Sequence, residues 1–226
     1  MMTMSWRPGV ASWSFVFFVV LFALWPELDL VVSSWFYNAS LNSFPANDNA
    51  VVQFIYWLFK EMPKVILPLL LVMSLLPLFR FAPAWSKRQQ RKWVFLLVFL
   101  LLGPGIIVHT VFKDNWDRAR PRDVVELGGE KQFTPAWVIS DQCDKNCSFV
   151  SGHAAMGYAF FALGWVFASR RWFFLGVGTG VAMGLIRVMQ GGHFLSDIIF
   201  AGYICFFVAY WVARWILGRS SITQSD

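Results

Sequence analysis

The chain has 226 residues, of which 58% are hydrophobic and only 14% are charged. Soluble domains contain about 45–50% apolar and about 25% charged residues, so this composition excludes an ordinary soluble domain and indicates a membrane protein. The net charge of +6 does not indicate nucleic-acid binding, because the basic residues lie between apolar runs and no recognition motif accompanies them.

Two apolar runs in the first third of the chain predict membrane spans at residues 9–25 and 65–79. The first run also fits a signal peptide, but no convincing cleavage site follows it, and we expect a retained span. Residues 51–59 are apolar but too few to cross a bilayer, and lysines follow them. This segment therefore predicts an interfacial helix before the second span.

The most basic segment of the chain, residues 80–92, comes next, and the positive-inside rule predicts that it lies in the cytoplasm. The third predicted span, 93–112, contains Gly103-Pro104-Gly105, which indicates a kink or a local break. Beyond a polar stretch, three further apolar runs predict spans at 149–169, 172–189 and 194–217.

The predicted fold is therefore all-α, a single polytopic membrane domain over residues 1–226 with six transmembrane helices. An even number of spans puts both termini on one side of the membrane. Basic residues near the predicted inner ends assign that side to the cytoplasm. Besides the cations of segment 80–92, they are Arg7, Arg170, Arg171, Arg214 and Arg219.

Three groups of polar residues fall on the opposite, non-cytoplasmic side of this topology. They are Lys113 with Arg120, Ser151-Gly152-His153, and Arg187 with His193 and Asp197. Charged side chains at membrane depth are costly and are therefore candidates for function. Their convergence on one side of the bilayer predicts a site there.

The spacing of these residues suits chemistry on a phosphate group. His193 and Asp197 are four residues apart and share a helix face, so the carboxylate can accept the Nδ1 hydrogen and leave Nε2 as a nucleophile. Ser151-Gly152-His153 opens a helix, whose free N–H groups favour an anion. Singly, these features also fit a structural helix start and an ordinary N-cap. The cations suited to phosphate oxygens are Lys113, Arg120 and Arg187.

Together the three groups resemble the signature motifs of the type 2 phosphatidic acid phosphatase superfamily, in the form Lys113-x6-Arg120-Pro121, Ser151-Gly152-His153 and Arg187-x5-His193-x3-Asp197. Two flanking positions depart from the usual pattern, with Val150 in place of proline and Ile186 in place of serine. A closer resemblance, to bacterial lipid A phosphatases that act at the 4′ position, lies in Phe112-Lys-Asp-Asn-Trp, Cys143-Asp-Lys-Asn-Cys-Ser148 and Gln190-Gly-Gly-His-Phe.

The resemblance implies a lipid phosphatase that forms a phosphohistidine and uses no metal or other cofactor. The sequence also lacks the carboxylate cluster that would bind two metal ions. His193, oriented by Asp197, would attack phosphorus, and His153 would protonate the leaving oxygen. The phosphate oxygens would be held by Lys113, Arg120, Arg187, Ser151 and the amide of Gly152.

The implied substrate is lipid A or a phospholipid, and the implied location is the bacterial inner membrane with the site facing the periplasm. Within the superfamily, other activities stay open: the 1-phosphate of lipid A, undecaprenyl pyrophosphate, phosphatidylglycerol phosphate, or phosphoryl transfer to another lipid. Outside it, the alternative is an anion transporter, but no second helix break matches Gly103-Pro104-Gly105. The oligomeric state is left open.

Two further features of the polar stretch have alternative interpretations. Cys143 and Cys147 fit a disulfide, half of a metal site or two idle thiols; the loop supplies no further zinc ligands, and an oxidising compartment would favour the disulfide. The charged residues around Arg118 either brace the loop, which we favour, or bind a sugar headgroup; they are Asp114, Asp117, Arg118, Arg122 and Asp123. We expect His109 to be a buried structural residue.

Overall fold

The computed structural model describes residues 8–219 and 221–222, and over these residues the protein is helical, without a β-strand. Arg7, one of the predicted inner basic residues, lies outside them. In chain order the helices are α1 Pro8–Leu24, α2 Leu28–Ser34, α3 Ala50–Leu75, α4 Ala84–Leu100, α5 Gly152–Tyr158, α6 Ala162–Phe167, α7 Arg170–Met189 and α8 Leu195–Val212.

Two helices continue beyond their α-helical part in a wider, π-helical form. α4 continues through Leu101–Lys113, and α8 continues through Ala213–Leu217. The predicted kink at Gly103-Pro104-Gly105 falls in the first of these segments, where the chain remains helical. Pro104 removes one backbone donor, and the change of hydrogen-bond register accommodates that loss.

Among the described residues, four helices are long and apolar enough to cross a membrane: Ala50–Leu78, Ala84–Lys113, Arg170–Met189 and Leu195–Leu217. α1 and α2 together would make a fifth span, although the chain bends by 84° between them. The predicted fourth span is divided into α5, a 3-10 turn and α6, each of which is short. The all-α membrane fold is confirmed, with four or five helices of spanning character.

Residues 51–59, predicted as an interfacial helix that leads into the second span, are not a separate element. Residues 51–59 form the first part of α3, which continues through Pro63 and Pro68 as one helix. A proline removes only one hydrogen bond from a helix, and such breaks are tolerated in membrane helices. The basic segment is also more helical than expected, because α4 begins at Ala84.

Close packing of α7 against α5 and the following 3-10 turn organises the centre of the molecule. A Cβ atom added to Gly176 would lie 1.9 Å from the Phe161 backbone nitrogen, and one added to Gly180 would lie 2.1 Å from the Tyr158 ring. The two segments run antiparallel, so the Arg187 end of α7 meets the beginning of α5. The beginning of α8 joins them, because the Ser151 N–H donates to the Asp197 carbonyl oxygen over 3.1 Å.

Candidate active site

The structure brings all the predicted catalytic and phosphate-binding residues to one end of the helix bundle. This end is formed by the end of the π-helical segment after α4, the beginning of α5 and the turn between α7 and α8. One Arg120 guanidinium nitrogen donates a hydrogen bond to the Gly192 carbonyl oxygen over 3.4 Å. Lys113 and Arg120 both donate to Asn146.

The His193 imidazole has one nitrogen bonded and one nitrogen without a partner. Nδ1 lies 2.7 Å from the Ser148 carbonyl oxygen and 3.5 Å from the nearer Asp197 carboxylate oxygen. A carbonyl oxygen only accepts, so Nδ1 carries the ring proton. Nε2 is buried without a hydrogen-bond partner, and its lone pair is therefore available. The closer acceptor is the Ser148 carbonyl, rather than the carboxylate that the four-residue spacing indicated.

The Asp197 carboxylate is turned toward the beginning of α8. Its Oδ2 accepts from the Phe194 N–H over 2.8 Å and from the Ser148 hydroxyl over 2.5 Å. Its Oδ1 accepts from Arg118 over 2.7 Å. The first N–H groups of a helix have no hydrogen-bond partner within the helix. A carboxylate at the third helical position, such as Asp197, can therefore accept from them. Asp197 thus holds Ser148, and Ser148 in turn holds His193.

The surroundings of His193 favour its neutral form. Burial, followed by the positive charges of Arg120, Lys113 and Arg187, lowers the pKa of His193 well below the ordinary histidine value. A neutral imidazole is the form that can act as a nucleophile.

The three predicted phosphate-binding cations are almost fully buried: Lys113 and Arg187 are each 4% exposed and Arg120 is 8% exposed. Arg187 lies against the backbone next to the histidine, where a Cβ on Gly192 would be 2.1 Å from the guanidinium. Only glycine at position 192 permits this approach. Arg187 also donates to Gln190 over 2.5 Å.

Asn146 contacts two of these cations and was not predicted as a site residue. Its carbonyl oxygen accepts from Arg120 over 2.5 Å, and its side-chain oxygen accepts from Lys113. A disulfide joins Cys143 and Cys147 and closes the short loop that carries Asn146. Asn146 oxygens therefore occupy donors that a phosphate would use. The sequence signal for it is its place between the two cysteines, within the segment Cys143-Asp-Lys-Asn-Cys-Ser148.

The beginning of α5 supplies donors and a second histidine. The Ser151 hydroxyl oxygen accepts from the Ala154 N–H over 3.3 Å, which leaves the hydroxyl hydrogen free to donate. Gly152 is the first residue of α5, where backbone N–H groups have no partner within the helix. The His153 ring stacks on Tyr56 with 4.5 Å between ring centroids, and its Nε2 has no hydrogen-bond partner. Tyr56, on α3, was also missed, and no sequence motif marks it.

Two cavities adjoin this cluster, and Tyr56 and Asn146 line both. The polar cavity, of about 430 Å³, is lined by Arg120 and Arg187 and by neighbouring polar residues that include Gln53, Arg122 and Lys145. The second cavity, of about 230 Å³, is lined by Lys113, Gly152, His153 and His109 and by apolar residues of α3. His109 is exposed to this cavity, so the expectation that it is buried was wrong; the small Gly152 leaves it room.

No group of three or more histidine, cysteine, aspartate or glutamate side chains suited to a metal ion occurs in the part of the chain that the structure describes.

Comparisons with known proteins match most of the chain, including the region that holds the three motifs. Residues 92–221 match the PAP2 superfamily. The chain is 37% identical over 207 residues to a lipid A 4′-phosphatase of Francisella tularensis subsp. novicida. The matched region covers 88% of this chain and 90% of the relative. It is 27% identical over 202 residues to a lipid A 4′-phosphatase of Rhizobium leguminosarum, with 83% and 86% coverage. No solved structure matches the chain.

Proposed function

The chain belongs to the PAP2 superfamily, and we propose that it removes the 4′-phosphate of lipid A through a phosphohistidine intermediate, without a metal ion. The chain is a phosphoric monoester hydrolase, as its family and its relatives indicate. The mechanism rests on the state of the two His193 ring nitrogens. Nδ1 is hydrogen-bonded to a carbonyl oxygen, while Nε2 has no partner and lies near three cations.

In the first step, the Nε2 lone pair of His193 forms a bond to phosphorus as the ester P–O bond breaks. The Nδ1–H bond to the Ser148 carbonyl keeps the ring in the required tautomer. His153 gives a proton to the leaving sugar oxygen. Its free Nε2 and its place in the second cavity support this role.

The phosphate oxygens are held by donors from all three motifs. Lys113, Arg120 and Arg187 carry the positive charge, while the Ser151 hydroxyl and the Gly152 amide add hydrogen bonds. The substrate displaces the Asn146 oxygens that these cations contact in the free protein. In the second step, His153 takes a proton from water, which attacks phosphorus and releases inorganic phosphate and neutral His193.

The proposed setting is the inner membrane of a bacterium, with the active site facing the periplasm. One domain over residues 1–226 would cross the membrane six times, with α1–α2 and α5–α6 as the two irregular spans and both termini in the cytoplasm. The helix from Ala84 to Lys113 supports this orientation. Its first turns carry basic residues and its last residue lies in the candidate site, and its 30 residues are enough to cross a bilayer.

A mass-spectrometric assay tests the substrate and the mechanism together. Purified protein in detergent, with a chelator present, should convert bis-phosphorylated lipid A to the form that lacks the 4′-phosphate. His193→Ala should reduce turnover to below about 0.1% of wild type while the protein still inserts, because the nucleophile is lost. Loss of the 1-phosphate would refute the 4′ assignment. Activity that requires added magnesium would refute the metal-free mechanism.

A further inference from the structure

Arg118 is fully buried and lines neither cavity. Its Nε donates to the Thr134 carbonyl oxygen over 2.8 Å. One terminal nitrogen donates to Asp197 over 2.7 Å and to Ser196 over 3.0 Å, and the other donates to Asp29 over 2.9 Å. All three nitrogens of the guanidinium are thus engaged by the protein. Arg118 is therefore not a phosphate ligand, although it lies two residues from Arg120.

Asp29 comes from α2, far from the three motifs in sequence, and is 1% exposed. Its Oδ1 accepts from the Ser196 N–H over 2.8 Å. Its Oδ2 accepts from the Ser196 hydroxyl over 2.5 Å and from Arg118 over 2.9 Å. Since Ser196 lies in the first turn of α8, this carboxylate fixes α2 to the beginning of the helix that carries Asp197.

These contacts lead to the nucleophile in a continuous series. Arg118 fixes Asp197, Asp197 accepts the Ser148 hydroxyl hydrogen, and the Ser148 carbonyl accepts from His193. The Arg118 guanidinium also lies 4.2 Å from the centre of the Phe194 ring, next to His193 in the chain. Every described contact in this series is between side chains or backbone groups that are buried.

The charge of the cluster matters as much as its geometry. Asp29 and Asp197 carry two negative charges when ionised, and Arg118 carries one positive charge, which leaves a net negative charge beside His193. When Nε2 bonds to phosphorus and Nδ1 keeps its hydrogen, the imidazole ring becomes cationic. A buried negative charge 3.5 Å from Nδ1 stabilises that ring more strongly than it would in water.

We propose that Asp29 and Arg118 are positioning residues for phosphoryl transfer to His193, and that Asp29 shares the charge of Arg118 so that Asp197 remains negative toward the ring. The proposal rests on the phosphohistidine mechanism given above. Without the Asp29 charge, the positive charge of Arg118 would be offset by Asp197 only, and the pair would have no net charge. Phosphorylation of His193 would then slow, while phosphate binding by Lys113 and Arg187 would be unchanged.

The test uses Asp29→Asn, which keeps the size of the side chain and removes its charge. Exchange of ¹⁸O between inorganic phosphate and water reports formation of the phosphoenzyme and needs no lipid. We expect the exchange rate per folded molecule to fall by about 10–100-fold, the loss typical when the outer partner of a metal-bound histidine is removed. The phosphate concentration that gives half the maximal rate should stay unchanged. Asp29→Glu, which restores the charge, should recover part of the rate.

Asp48→Asn is the matched control, because Asp48 is an exposed carboxylate in a 3-10 turn, and it should exchange at the wild-type rate. An Asp29→Asn variant whose rate falls only in proportion to the folded protein would refute the proposal. If that variant is not recovered folded, Ser148→Ala is the second test, because it removes the hydrogen bond from the Ser148 hydroxyl to Asp197. This variant should also slow exchange, and a wild-type rate for it would refute positioning of His193 through this series.

The same assay separates this proposal from the choice of substrate. Wild-type protein that exchanges phosphate oxygen but leaves lipid A intact would refute the lipid A assignment and leave the role of Asp29 supported by its variants. Wild-type protein without exchange would refute both the phosphohistidine and the positioning role.

Discussion

At the scale of single residues, the two site histidines differ in what holds them. His193 is 1% exposed and bonded through Nδ1 to a backbone carbonyl. His153 is half-buried and held by stacking on Tyr56. A fixed tautomer suits a nucleophile, while a ring that lines a cavity can contact a group bound there. The contacts of His193 therefore support its proposed role as the nucleophile.

The tautomer of His193 gives a prediction that is independent of activity. In the free protein, Nδ1 should be protonated and Nε2 unprotonated, because Nδ1 faces a carbonyl oxygen. The ring should remain neutral as the pH falls through about 6.5, since burial and neighbouring cations lower its pKa. ¹⁵N NMR of histidine-labelled protein, with His193→Ala to assign the signals, measures both properties. A His193 signal that titrates near 6.5 would contradict the described surroundings.

At the scale of helices, the arrangement depends on how closely α7 approaches α5. Thr179 donates to the Gly157 carbonyl oxygen over 2.9 Å, a contact that requires the two backbones to lie close together. Glycines on the contact face of α7 leave room for this approach, as small residues do in other membrane helix pairs. The same packing sets where Arg187 and Ser151 meet.

Replacement of Gly176 by alanine should destabilise the protein. The added Cβ would lie 1.9 Å from the Phe161 backbone nitrogen, so the helices must separate. We expect a loss of about 1–3 kcal/mol, typical of overpacking, measured as a lower Tm in detergent. Gly178→Ala is the matched control, because nothing lies within 4 Å of its added Cβ. Equal melting of both variants would contradict the close approach at Gly176.

At the scale of the whole molecule, basic residues and the candidate site lie at opposite ends of the helix from Ala84 to Lys113. Near the basic end, Arg91 donates to the Ile216 carbonyl oxygen over 2.8 Å, and Arg219 donates to Trp165 over 2.9 Å. These contacts place the ends of α6 and α8 beside the beginning of α4. The basic residues of α4 and the candidate site thus lie at opposite ends of the helix bundle.

Reporter fusions test the proposed orientation. Green fluorescent protein joined to the C-terminus, or inserted between α3 and α4, should fluoresce, because the basic end is predicted in the cytoplasm. Alkaline phosphatase inserted at Gly128-Gly129 should be active, because that loop belongs to the predicted periplasmic side. The opposite pattern at any of these positions would contradict the proposed topology.

Much of this protein follows from local properties of the sequence. Apolar runs indicate α1, α3, α4, α7 and α8 because a bilayer demands continuous apolar helices. The motif residues could be predicted because phosphate chemistry needs particular groups at particular spacings. The division of residues 152–167 into α5, a 3-10 turn and α6 could not be predicted, and neither could the unbroken α3, because packing against neighbouring helices decides whether glycine and proline end a helix.

The membrane class and the candidate residues for the chemistry could be predicted from the sequence alone. The three-dimensional arrangement makes the Ser148 carbonyl, rather than the Asp197 carboxylate, the closer acceptor for His193, because the Phe194 N–H and Arg118 engage that carboxylate. It also decided that Asp29, Tyr56 and Asn146 join the site. Their contacts cross between elements distant in the chain, and a side chain's partner there depends on packing rather than on spacing.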